Sequence, residues 1–524
     1  MFLPFLATGD VEDGLALLRE TLDMIDRNLA DELSGRGDQW HLADFAIHAV
    51  WRALRTFPDQ IPDSIRERIK QRLLSYNFHD GGLTENHDLL HHAMRHLTAL
   101  AFPKESLFDG RSAETHLLET RSRILAWCEV WLEQGSEEWG ADIYENVNLL
   151  SLLNLHDFAS DAEIKDRVRA ALDLLAREMA LNAFAGASTG AARRGYGCYR
   201  ICARNSPSRP LHALWFHNEN PDFAVPWFVG GVLVAALSPY RPPADIVALA
   251  QANPLRSSDY NTRPYPQPDV EVRETFRVTT RLPGVQLSGT IIPATPSRYT
   301  DFTWLAVFDE DAVVLATHPA TIPPTHHLPD HPTPKDLLQG YEEGRFQPSG
   351  RPGWVPGNMP PGEPGDYRPG FWQGHGHAPA CWMRDRCLLN LFNIPETDPC
   401  PWFHLHLPVQ AFDEVLQTEN WLFARRGQGR LRIWSSKPLI PCQQGTWSGI
   451  EWRCHDPKGG LFVEIGSGDD WNDWMDQAPK RCPGMGQDSI HFQGENQVIT
   501  LHRNADFPRE LLPERARSRI LPNP

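Results

Sequence analysis

The sequence predicts an α+β chain of two domains, a helical array over residues 1–255 followed by an antiparallel β domain over residues 256–524. Three observations predict it. A chain of 524 residues exceeds what one hydrophobic core supports. Hydrophobic residues make up 41%, with 18 Trp and 24 Phe, enough apolar surface for more than one core. Near residue 255 the spacing of apolar residues changes from helical to strand-like.

The helical elements follow in order. Helices are expected around 11–33, 41–57, 63–76, 87–101, 139–157 and 222–238. In "SDAEIKDRVRAALDLLAREMAL", Ile164, Val168, Ala171, Leu172, Leu175 and Met179 fall on one helix face. Ser160 and Glu163 form the S-x-x-E capping signature at its start. Leu118, Leu125, Cys128 and Leu132 suggest the buried stripe of the preceding helix. Short connections without intervening strands make antiparallel helix pairs the expected packing.

Beyond residue 265 come short β-prone runs bounded by Gly, Pro and Asp: "VEVRETFRVTTRL", "GVQLSGTIIPA", "TWLAVF", "DAVVLAT", "WLFARRGQGRLRIWSS" and "GLFVEIGS". "RRGQGR" reads as a hairpin turn. Two Pro-rich stretches, "HPATIPPTHHLPDHPTP" and "QPSGRPGWVPGNMPPGEPGDYRPG", are too long for turns and are expected to cover a surface or cleft, the cleft lying between the domains.

Composition narrows the partners. A formal charge of −17 argues against nucleic acid, because phosphate binding wants a basic face, but leaves an anionic small substrate or a polysaccharide open. No apolar run reaches the ~18 residues of a membrane span. The start, "MFLPFLATGDVEDG", lacks the basic segment of a signal peptide, so the expected location is cytoplasmic, or exported with the signal already removed. The nine cysteines show no paired framework and read as reduced structural thiols. The oligomeric state is not legible.

The stretch "GGLTENHDLLHHAMRHL" (81–97) concentrates chemistry. His87 and His91 share a helix face, and "HDLLH" differs from the zinc-protease motif by Asp for Glu, with no third ligand evident downstream. Leu90, Ala93, Met94 and Leu97 form the buried stripe. His92 and His96 fall elsewhere on the helix. Its place at the helix start suits His87 to an acid/base role.

Asn86-His87 opens this helix, Tyr144 follows His87 by 57 residues in "EEWGADIYENVNLLSLLNLHDFA", and a β-rich segment reads "PWFHLHLPVQAFDEVLQTENWLFARRGQGRLRIWSSKP". In these features the chain resembles the toroid-type polysaccharide lyases, the alginate lyase and heparinase II/III-like superfamily. The resemblance covers most of the chain in architecture but only these short stretches in motif. It implies an N-terminal (α/α) toroid, complete or incomplete, and a C-terminal antiparallel β-sandwich. It also implies β-elimination on a uronate-containing glycan, with Asn86 neutralising the carboxylate and His87 and Tyr144 as base and acid. The family often carries an Arg near the Tyr; here Glu137, Glu138 and Asp142 precede Tyr144 instead. Arg194 or Arg200, in "ARRGYGCYR", would supply the missing positive charge, with Tyr196 on the same loop.

The same acids carry the alternative. Glu85, Asp88, Glu138, Asp142 and Glu145 offer carboxylate pairs for a glycoside hydrolase, which in inverting enzymes stand roughly 6.5–9.5 Å apart. A non-catalytic glycan-binding protein is the third reading. Trp40, Trp139 and Trp372 are sugar-stacking candidates under any of them, and "FWQGHGHAPACW" would bring Trp372 and His377 to a cleft rim. Tyr144 also reads as a half-buried aromatic of its helix. His404 and His406 share one face if "FHLH" is a strand, and are the lesser candidates for a structural divalent metal. No other cofactor is expected. "RARSR" near the C-terminus reads as a solvated basic run.

Overall fold

The computed structural model describes residues 2–33, 43–78, 84–195, 197–216, 230–263, 274–294, 301–319, 372, 374–398, 400–444, 447–493, 498–503, 507 and 509–521. N-terminal helices are followed by a region rich in antiparallel sheet, a mixed α+β chain. Contacts group it into two units that no single cut in the sequence separates. The first holds Met1–Ser136, Ile143–Ala176 and Pro226–Pro243; the second holds Glu137–Asp142, Arg177–Val225 and Ala244–Pro524. Trp40, Tyr196 and both Pro-rich stretches, apart from His318 and Pro319, lie outside the described residues.

The first unit is helical. Its elements are α1 (Leu3–Thr8), α2 (Val11–Leu33), α3 (Ala43–Thr56), α4 (Asp63–Ser75), α5 (Glu85–Ala101), α6 (Ala113–Gln134), most of α7 (Asp142–Phe158) and of α8 (Ala162–Leu181) and, later in the chain, Gly230–Leu237. The α8 stripe is as the spacing predicts, every residue from Ile164 to Met179 in it being buried. Its cap differs: the Ile164 amide donates to Asp161 Oδ1 at 3.1 Å, so Asp161, not Ser160, closes the helix start. The buried face of α6 also differs. Leu118 is 69% exposed, while His116, Thr120, Ile124, Trp127, Cys128 and Trp131 face inward. Trp127 and Trp131 stack at 4.8 Å and take the inward positions.

Polar ties hold these helices in register. His48 Nε2 meets the Leu90 carbonyl at 3.0 Å, the Asn154 amide donates to the His48 carbonyl at 3.1 Å, and buried Arg52 pairs with Asp157 at 2.5 Å. Gly231 presses against α7 so closely that a Cβ there would sit 2.0 Å from the Asn146 carbonyl oxygen.

Among the described residues, the second unit is built on two large antiparallel sheets, of nine and six strands. The nine-stranded sheet includes β3 (Leu255–Asn261), β4 (Thr275–Leu282), β5 (Val285–Ile291), β6 (Trp304–Val307), β7 (Val313–Thr317), β10 (Phe403–His406) and β15 (Glu451–Cys454). The six-stranded sheet includes β8 (Ala380–Arg384), β9 (Cys387–Leu391), β12 (Trp421–Arg426), β13 (Gly429–Ser435) and β16 (Gly460–Ser467). β12 and β13 form the hairpin that "RRGQGR" predicts, with Gly427 at φ 54° in the turn. One apolar cluster draws on both sheets: Val278, Leu287, Ala306 and Leu405 from the first, Leu389, Ala424, Ile433 and Val463 from the second.

The nine-stranded sheet is covered on its other face too. Leu305, Val307, Val313 and Leu315, alternating with the shared-core residues, enter a second cluster with Trp372, Trp402 and Trp447. That is why β6 and β7 read as continuous apolar runs. On β4 and β5 the same face is polar. Arg281 donates to the carbonyls of Leu249, Ala250, Ala252 and Ala180, satisfying the last turns of α8 and of the helix Ala244–Gln251. The segment around Arg517 docks here as well. Arg517 pairs with buried Glu178 and, at 3.3 Å, with Asp259, so the "RARSR" run is partly buried structure and not merely solvated charge.

Candidate functional site

The head of α5 gathers Glu85, Asn86, His87 and Asp88 in its first turn. Its start is held from below: Trp127 Nε1 donates to the Glu85 carbonyl at 2.9 Å, and Ser136 donates to the buried Glu85 carboxylate. Glu85 is thereby a structural acid. Asn86 is 1% exposed, and its side-chain oxygen accepts from Thr84 Oγ1 at 3.0 Å. Asp88 is half-buried on the first turn.

His87 differs from its neighbours. Its side chain is 24% exposed, and Nδ1 donates to Asp44 Oδ2. The carboxylate is 5% exposed and sits in the first turn of α3. Phe45 packs on the imidazole at 5.2 Å. With Nδ1 protonated toward Asp44, the lone pair lies on Nε2, which has no protein partner among the described residues. His91 Nε2 stands 3.9 Å from the same Asp44 oxygen. Asp44, His87 and His91 thus form one cluster whose ligand-type atoms all lie within 4.8 Å of one another.

Asp44 is the residue that sequence reasoning missed. In "HLADFAIHAV" it reads as an ordinary acid of a helix first turn, and nothing in its spacing links it to a histidine 43 positions later. The usable signal would have been a histidine pair lacking its carboxylate, with an acid at the head of another helix.

Tyr144 is half-buried in the first turn of α7, and Glu145 beside it is 8% exposed. The acids before Tyr144 belong to the second unit and are each matched by an arginine there. Glu137 pairs with Arg263 at 2.9 Å, Glu138 with Arg194, and Asp142 with Arg200 at 3.0 Å. Arg200 also donates to the carbonyls of Gly190, at 3.0 Å, and Gly140. These arginines cancel local acids and clamp backbone, so neither supplies the free positive charge that the resemblance suggested. Burial pushes the Asp142 carboxyl up to about 6, with Arg200 opposing.

The tryptophans are correspondingly internal. Trp139 is fully buried, donating to Asp259 Oδ2 at 3.0 Å beneath the Arg277 guanidinium at 4.2 Å. Trp372 is fully buried and stacked on His404 at 3.8 Å, with His406 edge-on at 5.3 Å. Neither ring offers an open face to a sugar.

His404 and His406 do share one face of β10, but as packing. His404 meets Glu451 through Nδ1 at 3.0 Å and Thr317 through Nε2 at 2.8 Å, leaving neither nitrogen for a metal. His406 Nδ1 is held by the Val313 carbonyl at 2.8 Å, and burial pushes both imidazoles down to about 4. His377 joins Asp398 at 3.2 Å. His318 contacts the same carboxylate at 3.5 Å, and its Nδ1 accepts from the His377 amide at 3.0 Å. Gly376 permits that approach, since a Cβ would lie 2.7 Å from His318 Nδ1. No family model matches this sequence, and no curated protein matches it.

Proposed function

We propose that this protein is a carbohydrate-active enzyme, a polysaccharide lyase that cleaves a uronate-containing glycan by β-elimination. Its helical unit would be a toroid and its two sheets a sandwich. The shared apolar core of those sheets supports the second part of that architecture. The observation that carries the activity is the His87–Asp44 pair: a partly exposed imidazole oriented by a buried carboxylate, with Nε2 unpartnered among the described residues. That is the arrangement of a general base.

In this reading His87 Nε2 takes the proton α to the uronate carboxylate. Asp44 stabilises the imidazolium that forms, as a buried carboxylate does for a catalytic histidine. Asn86 is the proposed hydrogen-bond donor to the substrate carboxylate, stabilising charge as the enediolate develops. The electron pair then forms the ring double bond, the glycosidic C–O bond breaks, and the Tyr144 hydroxyl protonates the leaving oxygen. A lyase of this kind needs no cofactor for the proton transfers.

The test is incubation with uronate and neutral glycans, reading near-ultraviolet absorbance of an unsaturated product alongside new reducing ends. The expected result is absorbance that falls by about 100-fold or more in His87→Ala. New reducing ends without absorbance would reject elimination and move the chemistry to a carboxylate pair, where Asp142, raised to about 6, has the character of a general acid.

A further inference from the structure

The Asp44–His87–His91 cluster has a second chemical capacity. We propose that these three residues bind one divalent first-row metal ion, zinc foremost, and that the bound ion withdraws His87 from proton abstraction. The second half rests on the lyase reading above; the first does not.

Two histidines four apart on one helix present their rings to the same side, and a carboxylate from another helix completes a mixed N, N, O set. Zinc takes such donors at about 2.0–2.2 Å, which in tetrahedral geometry places them about 3.3–3.6 Å apart. His91 Nε2 and Asp44 Oδ2 are 3.9 Å apart, while His87 Nδ1 and Asp44 Oδ2 are in direct hydrogen-bond contact, so side-chain rotations that close the first pair and part the second form the shell. Asp44 and His91 are each 5% exposed, with Tyr76 and Phe78 near the His91 ring at 6.0 and 6.3 Å, while His87 lies open at 24%. The buried ligands give a fixed, weakly hydrated floor, and the open side leaves a fourth position for water.

The antagonism follows from which nitrogen is used. Without metal, His87 Nδ1 carries the proton toward Asp44 and Nε2 is the base. A metal seated between Asp44 and His91 takes Nδ1, because that atom faces them. The imidazole proton then resides on Nε2, and the outward edge becomes a donor. The proton moves from Nδ1 to Nε2 without leaving the imidazole, and the group that would accept the substrate proton no longer can.

Two other histidine groups among the described residues do not compete. His404 has both nitrogens bonded within the sheet, and His318 has its Nδ1 taken by the His377 amide and its Nε2 by the Cys400 carbonyl at 3.0 Å.

The experiment is calorimetric titration of metal-stripped full-length protein with zinc, paired with cobalt titration read by visible absorption. Parent, His91→Ala and Asp44→Asn are compared, with circular dichroism to verify folding; Asp44→Asn is isosteric and guards against collapse of His91→Ala. The parent should bind one equivalent that each variant loses or holds at least about 10-fold more weakly, since even outer-shell changes cost 10–100-fold. Equal stoichiometry and affinity in all three proteins overturns the site. Where a glycan is cleaved, zinc should inhibit the parent, and in His91→Ala inhibition should need at least about 10-fold more metal. Stimulation by zinc overturns the antagonism. If no glycan is cleaved, the lyase reading fails, while the stoichiometry still decides the metal site.

Discussion

Two histidine pairs in this molecule look alike in the sequence and differ in what the fold leaves them. His404 and His406 lie on β10, fully enclosed, with both nitrogens of His404 bonded to neighbouring side chains and a tryptophan stacked on its ring. His87 and His91 lie on α5, and their carboxylate partner takes one edge of His87 while the other stays open. The difference is one of residual capacity. A polar side chain whose donors and acceptors are all matched within the fold is structure; one with an oriented, unspent edge at a surface can do chemistry.

The sharpest break of that comparison is to remove each histidine in turn. His87→Ala should lower elimination by about 100-fold or more while the protein stays folded, as read by absorbance and calorimetry. A large loss of stability with unchanged rate would reverse the assignment. His404→Ala should do the opposite. It removes the partner of Thr317 and one of the two partners of Glu451, which keeps Arg453, and opens a void under Trp372, a loss of about 2–4 kcal/mol in urea unfolding. A loss below about 1 kcal/mol would show that the strand pair is not holding the sheet.

Acid extends the comparison to four enclosed imidazoles. Burial pushes His48, His96, His404 and His406 down to about 4. Between the ordinary value near 6.5 and about 4, the unfolded chain takes up protons that these folded histidines refuse. Their contribution is therefore present above pH 6.5 and lost as pH falls toward 4, at up to about 1.4 kcal/mol per pH unit for each. Asp142 works the other way. Its folded carboxyl, raised to about 6, binds a proton before the unfolded one does, so it adds stability as pH falls through 6 and offsets about one histidine. Urea midpoints at pH 7.5 and 5 should show the net loss, and His404→Asn should flatten the slope. The smallest effect is at the surface: Asp161→Ala should cost about 1 kcal/mol by removing the α8 cap, and Ser160→Ala close to nothing.

Much of the secondary structure was legible because it rests on local periodicity. The α8 stripe and the β12–β13 turn need only neighbours in sequence. The α6 face was misread for an equally physical reason. Leu118 and Leu125 match a helical period, but the burial of Trp127 and Trp131 turns the helix, and side-chain size does not appear in the spacing. The sequence likewise presents three acids before Tyr144 as a repulsive patch, whereas the fold meets each with an arginine from more than 50 positions away.

The sequence by itself determined the α+β class, most helices and the β12–β13 hairpin, because those follow from the alternation of apolar and polar residues over a few turns. Only the tertiary structure decided which polar residues are spent. It placed Asp44 against His87, buried Trp139 and Trp372 out of reach of a ligand, and closed both nitrogens of His404. The physical reason is that a hydrogen bond or an ion pair is satisfied by whatever stands within about 3 Å, and that neighbour is set by packing between elements and not by position along the chain.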